Sequence, residues 1–209
     1  MTARETVLGR VRDALALAPR PPVTAARDYR RDRTLPDDER LALFTDRLLD
    51  YKAQVRTCTA RETAATLAEV LEGLGARRVG LPAGLDRSWL DGWDGATEED
   101  RADVPPSALE TLDAVVTASA ASCAETGTIV LDGSADQGRR ALSLVPDVHV
   151  CVVDLSSVAV GVPEMLAGLV PERPTTLISG PSATSDIELE RVEGVHGPRT
   201  LVVVVRTDV

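Results

Sequence analysis

The residues best suited to chemistry lie between two apolar runs near the end of the chain, in LISGPSATSDIELERVEGVHGPRTLVVVV, residues 177–205. His196 supplies an imidazole that titrates near neutral pH, and Asp186 a carboxylate, so they suit a general base and its orienting partner. Glycines and hydroxyls after a strand leave backbone N–H groups available to an anion, and a loop after TTLIS is expected beyond the carboxyl ends of parallel strands, where ligands collect. Turns use similar residues but seldom include a histidine between glycines, so a functional loop is favoured. The residues predicted to hold a substrate here are Gly180, Ser182, Thr184 and Arg199.

A second candidate is a glutamate that precedes a glycine at the start of an apolar strand, in SCAETGTIVLDG. Glu125 supplies a carboxylate and Thr126 a hydroxyl, while Gly127 lets a ligand approach the backbone closely. The tripeptide by itself fits a tight turn with a solvated glutamate at least as well. His149, which begins the apolar strand HVCVVD, is more typical of a hydrogen-bonded core or sheet-edge residue than of a ligand.

Alternating helices and strands must position these candidates. Several of the strands are almost continuously apolar, which is typical of a sheet with helices on both faces. The stretch VVTASAASCAETGTIVL indicates a local antiparallel return. We therefore predict a three-layer α/β/α fold with a mixed, mostly parallel sheet. The predicted strands are QVRTCT, RRVGLP, DAVVTAS, GTIVLDG, HVCVVD, TTLISG and TLVVVV, and SWLDGWDGATEEDRADVPPS is predicted to be a loop.

The first 36 residues are predicted to be an appendage to an α/β domain over residues 37–209. They begin with an amphipathic helix, which is followed by the basic, proline-flanked segment TAARDYRRDRTLP. A helix with one apolar stripe must bury that stripe somewhere. Two interpretations stay open: a solvated tether, or an arm that docks on another subunit, including a second copy of this chain.

Composition excludes several classes of function. The chain has 23 basic and 33 acidic residues, and a net charge of −10 repels nucleic acid. Three widely spaced cysteines give neither a disulfide framework nor a CxxC pair, which fits a reducing cytoplasm. No apolar run approaches the roughly 20 residues of a membrane span. GxGxxG, GxxxxGK[ST] and HExxH motifs are absent, so we expect neither a bound cofactor nor a metal in this chain.

Four segments in order, AETGTIVL, SLVPDVHVCVV, ISGPSATSDIE and GVHGPR, resemble the lactate-utilization family known as the LUD domain. The resemblance runs from about Asp37 to Arg206. It implies a fold like that of ribose-5-phosphate isomerase and the CoA transferases, and a part in oxidising L-lactate to pyruvate beside iron–sulfur partner proteins. Larger members carry a cysteine-rich extension that this chain lacks, so clusters are expected only on the partners. Glu125 looks like the counterpart of the CoA transferases' catalytic glutamate.

The main hypothesis is a subunit without an iron–sulfur cluster in an L-lactate-oxidising system. It would bind a small carboxylate at an edge formed by Glu125, Asp186 and His196. One rival is a stand-alone acyl- or CoA-transferring enzyme with Glu125 as nucleophile. The other is a scaffold with a vestigial pocket that holds the iron–sulfur subunits together.

Overall fold

The structure, a computed structural model, describes residues 2–17, 24–184, 192–193 and 197–209. It divides into two compact units, Met1–Arg30 and Arg31–Val209. The first contains helix α1 (Ala3–Leu17), none of whose residues is buried. The second begins before Asp37, the start of the domain predicted from the sequence, because Arg33 is hydrogen-bonded to Glu125 and Glu164 of that unit.

The second unit alternates strands and helices along the chain. The other helices are α2 (Asp37–Asp50), α3 (Thr63–Gly73), α4 (Arg140–Leu144) and α5 (Val162–Ala167). The strands are β1 (Gln54–Cys58), β2 (Arg78–Pro82), β3 (Ala96–Asp100), β4 (Ala114–Thr117), β5 (Ala121–Cys123), β6 (Thr128–Leu131), β7 (Val148–Asp154), β8 (Val158–Ala159), β9 (Thr176–Ile178), β10 (Ala183–Thr184), β11 (Val192–Glu193) and β12 (Thr200–Arg206).

A six-stranded parallel sheet in the order β1-β12-β7-β4-β2-β3 forms the centre of the unit. The inner strands β7 and β12 are buried on both faces, because their side chains alternate between two core clusters. Val150 and Val202 pack with α3 on one face, and Val153 and Val203 pack with α2 on the other. The predicted α/β class with a mostly parallel central sheet is confirmed.

The antiparallel strands form a second sheet, in the order β8-β5-β6-β9. Its β5–β6 pair is the local return that the sequence predicted through ASCAETG. Ile129 and Leu131 of this sheet pack with Phe44 and Leu48 of α2 against the central sheet. The sequence analysis missed strands β3, β8, β10 and β11. Of these, β3 lies in the segment predicted as a loop and pairs in parallel with β2. Its acidic residues are mostly exposed at the sheet edge, so the apolar signal of a strand is absent.

Candidate functional site

The larger of two adjoining cavities, about 500 Å³, lies at the carboxyl ends of β2 and β3, where ligands of open parallel sheets collect. Its wall contains Asp100, the last residue of β3, whose side chain is only 3% exposed. The guanidinium of Arg139 binds this carboxylate at two points, with Nε–Oδ2 and Nη2–Oδ1 distances of 2.8 and 2.7 Å. The charges on this side of the cavity therefore neutralise each other.

A second ion pair closes the glycine-rich loop that follows β6 along the same cavity. Asp132, also buried, accepts hydrogen bonds from the backbone N–H of Ser134 at 3.0 Å and from Arg173 Nη1 at 2.8 Å. Burial raises the pKa of Asp132, but the hydrogen bonds from Ser134 and Arg173 outweigh it and hold the pKa below its ordinary value. The carboxylate is therefore held in place between the lining residues Leu131 and Gly133.

The smaller cavity, about 300 Å³, shares Arg140, Ser143 and Thr176 with the larger one. Two residues predicted to hold a substrate, Gly180 and Ser182, line it. The remaining lining residues are Leu144, His149, Leu177, Ile178, Ser179, Pro181, Gly197, Pro198 and Leu201. The start of the predicted loop therefore borders a real cavity.

Gly180 is required by the way the loop leaves β9. Its φ of +83° lies in the left-handed region, and a Cβ there would come within 2.5 Å of the carbonyl oxygen of Tyr51. The backbone of this loop passes directly against the end of α2. Only glycine permits this approach without a shift of the chain.

The location of this loop corrects one expectation. We expected it beyond the carboxyl ends of the parallel strands, but among the described strands β9 pairs with β6 alone, antiparallel, in the second sheet. Thr176 at the start of β9 borders the larger cavity, and the chain then runs toward the amino ends of β7 and β12. There Ser182 N–H donates to the carbonyl oxygen of Pro198 at 2.8 Å. The smaller cavity thus lies beside the starts of these strands.

His149, the second residue of β7, is 1% exposed and borders the smaller cavity. Its Nε2 lies 2.8 Å from Thr117 Oγ1. The Thr117 hydroxyl donates to Cys151 Sγ at 3.7 Å, and this thiol donates to the carbonyl oxygen of Ala118 at 3.7 Å. Burial lowers the pKa of His149 to about 4 and raises the pKa of the Cys151 thiol to about 12. At neutral pH the imidazole is uncharged and the thiol is protonated.

The turn that carries Glu125 is at the same end of the second sheet as the start of the loop. Hydroxyl groups connect the two: Thr126 Oγ1 lies 2.7 Å from Thr128 Oγ1, which lies 2.8 Å from Ser179 Oγ. The Glu125 carboxylate forms an ion pair with Arg33 and is about half exposed. Among the described residues lining the two cavities, neither Glu125 nor its turn neighbours Thr126 and Gly127 occurs.

Four further predicted residues lie in or beside the loop. Arg199 is exposed and forms a two-point ion pair with Asp147, which raises the pKa of its guanidinium. Thr184 is in β10, which pairs with β11. Asp186 and His196 lie outside the described residues. Their convergence with Glu125 therefore stays a prediction.

The sequence analysis missed Arg140 and favoured a core or sheet-edge position for His149 over a ligand-binding one. A signal for Arg140 was present in LDGSADQGRR, where glycines, carboxylates and two arginines follow a buried strand directly. His149 gave no such signal, because an apolar strand surrounds it in the sequence. Its place beside a cavity depends on how β9 and the following loop pack over β7.

The three cysteines do not fit an iron–sulfur cluster, because each is buried in a different core cluster: Cys58 beside α3, Cys151 beside α2, and Cys123 with Met165. Within the described ranges, no group of three or more histidine, cysteine or acidic residues is placed to hold a metal ion. No helix in the described part of the chain combines the length and apolar character of a membrane span.

Comparison with known proteins adds three findings. Residues 42–205 match the model of the LUD domain. A lactate utilization protein C of Deinococcus radiodurans is 49% identical over 175 residues, 80% of this chain and 79% of that protein. An uncharacterized protein of Neisseria meningitidis serogroup B is 30% identical over 224 residues, 97% of this chain and 93% of that protein.

One solved structure resembles the chain closely. It is the crystal structure of a DUF162 family protein from Deinococcus radiodurans, with a TM-score of 0.70 and 41% sequence identity. The match covers 83% of this chain and 99% of that one. The region compared therefore includes most of the second unit.

Proposed function

We propose, from the premise that the chain belongs to the LUD domain family, that it is a component of an L-lactate utilization system. This chain and its iron–sulfur partner subunits would act together in this system to oxidise L-lactate to pyruvate. The observation that carries the proposal is the 49% identity to a lactate utilization protein C across about four fifths of both chains. The proposal includes a cytoplasmic location for the chain.

The chemistry of the reaction supports a division of labour. Oxidation of the alcohol carbon of L-lactate releases two electrons and two protons, so it needs an electron acceptor as well as a site for the acid. The dispersed cysteines of this chain do not suit a cluster. The role of electron acceptor is therefore assigned to the iron–sulfur partners, and the binding of the substrate acid is assigned to this chain.

Within the chain, the cavity beside Gly180 and Ser182 is the proposed place for a small carboxylate. His196 is proposed as the base for the hydroxyl proton, with Asp186 as its orienting partner. Arg199 and the backbone of the loop stay candidates for holding the carboxylate. Glu125 is less suited to the alternative of acyl or CoA transfer, because its carboxylate is engaged by Arg33.

The proposal is tested in cells that carry this chain. A tagged copy is isolated from cells grown on L-lactate, and iron and the visible spectrum are measured in the eluate. We expect partner chains with an iron–sulfur chromophore, and loss of growth on L-lactate when the chain is deleted. A deletion strain that grows normally on L-lactate would refute the proposal.

Substitutions then separate a catalytic subunit from a scaffold. If the predicted site is catalytic, Glu125→Gln and His196→Ala each abolish growth on L-lactate while the melting temperature changes little and the partners still co-purify. A scaffold tolerates both substitutions. Equal losses of growth and melting temperature would assign these residues a structural role.

A further inference from the structure

We infer that the smaller cavity binds a 2-hydroxy carboxylate between the guanidinium of Arg140 and the imidazole of His149. The inference rests on the proposed function and names substrate-binding residues that are not part of the site predicted from the sequence. Both side chains border the same cavity of about 300 Å³. A cavity of this volume is at the small end of ligand sites in proteins, which suits a compact acid.

Arg140 supplies the cation. Of the two arginines that line the cavities, Arg139 is engaged by Asp100, whereas Arg140 forms no ion pair or side-chain hydrogen bond with the described part of the chain. A guanidinium binds a planar carboxylate through two parallel N–H donors, and the geometry is specific as well as strong. Arg140 is thus the available carboxylate-binding group at the junction of the cavities.

His149 supplies a hydrogen-bond acceptor. Because the Thr117 hydroxyl donates to Cys151 Sγ, its oxygen is left to accept from the imidazole, which places the proton on Nε2. The protonated thiol of Cys151 in turn donates to the carbonyl oxygen of Ala118, so each donor in this chain of hydrogen bonds points away from His149. Nδ1 then carries the lone pair, and it has no hydrogen-bond partner among the described residues. An acceptor nitrogen without a protein partner at the border of a cavity is suited to a ligand hydroxyl.

The other walls suit the rest of such a ligand. Leu144, Ile178 and Leu201 provide apolar surface for a short alkyl group, and Gly180 and Ser182 bring backbone and hydroxyl groups to the same cavity. The three groups of the acid would therefore contact different kinds of side chain. The carboxylate meets Arg140, the hydroxyl meets His149, and the alkyl group meets the leucines and isoleucine.

The test compares two acids that differ by one hydroxyl, L-lactate and propionate, by calorimetry on the full chain. We expect L-lactate to bind about tenfold more tightly, which corresponds to one hydrogen bond of ordinary strength. Arg140→Gln should weaken both acids by tenfold or more, because both present a carboxylate. His149→Leu should bring L-lactate down to the affinity of propionate and leave propionate unchanged.

Matched variants separate this effect from general damage. Thr117→Val keeps the imidazole but removes the acceptor for Nε2–H, so we expect a partial loss of the preference for L-lactate. Arg61→Gln removes an exposed arginine that lines neither cavity, and should leave both affinities unchanged. The chain has only two histidines, so His196→Ala leaves one imidazole, whose nitrogen resonances report the tautomer of His149 directly.

The outcomes also distinguish this inference from the proposed function. If neither acid binds, or if the preference for L-lactate disappears in His196→Ala but survives in His149→Leu, the assignment of His149 and Arg140 is overturned. The proposed function still stands if growth on L-lactate needs the chain. If growth does not need it, the proposed function fails even where the affinities behave as expected.

Discussion

Arg139 and Arg140 are neighbours in the sequence, yet they have opposite roles in the structure. Arg139 is bound at two points to the buried carboxylate of Asp100, and Arg140 is free of ion pairs with the described residues. The polar groups of the two cavities differ in the same way. The compensated pair of Arg139 and Asp100 lines the larger cavity, whereas the unpaired imidazole nitrogen of His149 borders the smaller one, and the unpaired cation of Arg140 lies where the two cavities join.

This difference shows how to separate structural from ligand-binding polar groups without a bound ligand. A buried charge that already has its partner contributes to folding, because removal of either partner leaves the other uncompensated. A polar group that borders a cavity without a partner gains an interaction only when a ligand arrives. Glu125 and Arg199, both chosen from the sequence, belong to the paired class in the described structure.

The adjacent arginines provide the most direct test of this comparison. Arg139→Gln leaves the Asp100 carboxylate buried without a cation, so we expect the free energy of unfolding to fall by about 3 kcal/mol. Arg140→Gln removes an exposed, unpaired side chain and should change it by less than about 0.5 kcal/mol. Denaturant unfolding measures both. Equal destabilisation by the two substitutions would remove the basis for assigning Arg140 to a ligand.

The second test concerns the neutral imidazole in the smaller cavity. Burial lowers the pKa of His149 to about 4 from an ordinary value of 6.5, so the unfolded chain binds the proton more readily between these values. The stabilisation is present above pH 6.5 and is lost as the pH falls toward 4, a change of about 3 kcal/mol in total. The difference between the unfolding curves of the wild type and His149→Leu across this range measures it. A difference independent of pH would mean that the imidazole is not held neutral.

A third test uses two glycines with similar backbone angles and different surroundings. Gly180 and Gly92 have φ of +83° and +87°, but a Cβ at Gly180 meets Tyr51 whereas one at Gly92 meets open space. Gly180→Ala should therefore cost about 2 kcal/mol, and Gly92→Ala about 1 kcal/mol. Thermal unfolding compares them. Because Gly180 borders the smaller cavity, its variant should also weaken carboxylate binding if the loop backbone forms part of the site.

The smallest effect is expected at the exposed pair between Arg199 and Asp147. Both side chains are more than half exposed, so Arg199→Gln should lower the free energy of unfolding less than any of the preceding destabilising substitutions. High salt should reduce this difference further, since the pair is screened by solvent ions. A larger loss, insensitive to salt, would show that the pair supports the loop before β12.

Most secondary structure could be predicted from the sequence because it depends on local periodicity. The apolar runs of β7 and β12, with valines throughout, predict strands buried on both faces, and α2 and α3 have their apolar residues on one side. Acidic β3 was missed, since an exposed edge strand needs no apolar alternation. The return between β5 and β6 was predicted, but its separation into a second sheet was not, because strand order depends on long-range pairing.

The sequence by itself determined the chemical inventory: two histidines, three scattered cysteines, an acidic surface, and the ordered motifs of the LUD domain. The tertiary structure decided which of these groups are engaged. Arg139 and Arg140 are equivalent in a list of residues, and only the position of Asp100, contributed by a distant strand, makes one structural and leaves the other free. His149 likewise became a site candidate only when β9 and its loop left a cavity beside β7. Availability for binding depends on three-dimensional neighbours, which local sequence patterns do not encode.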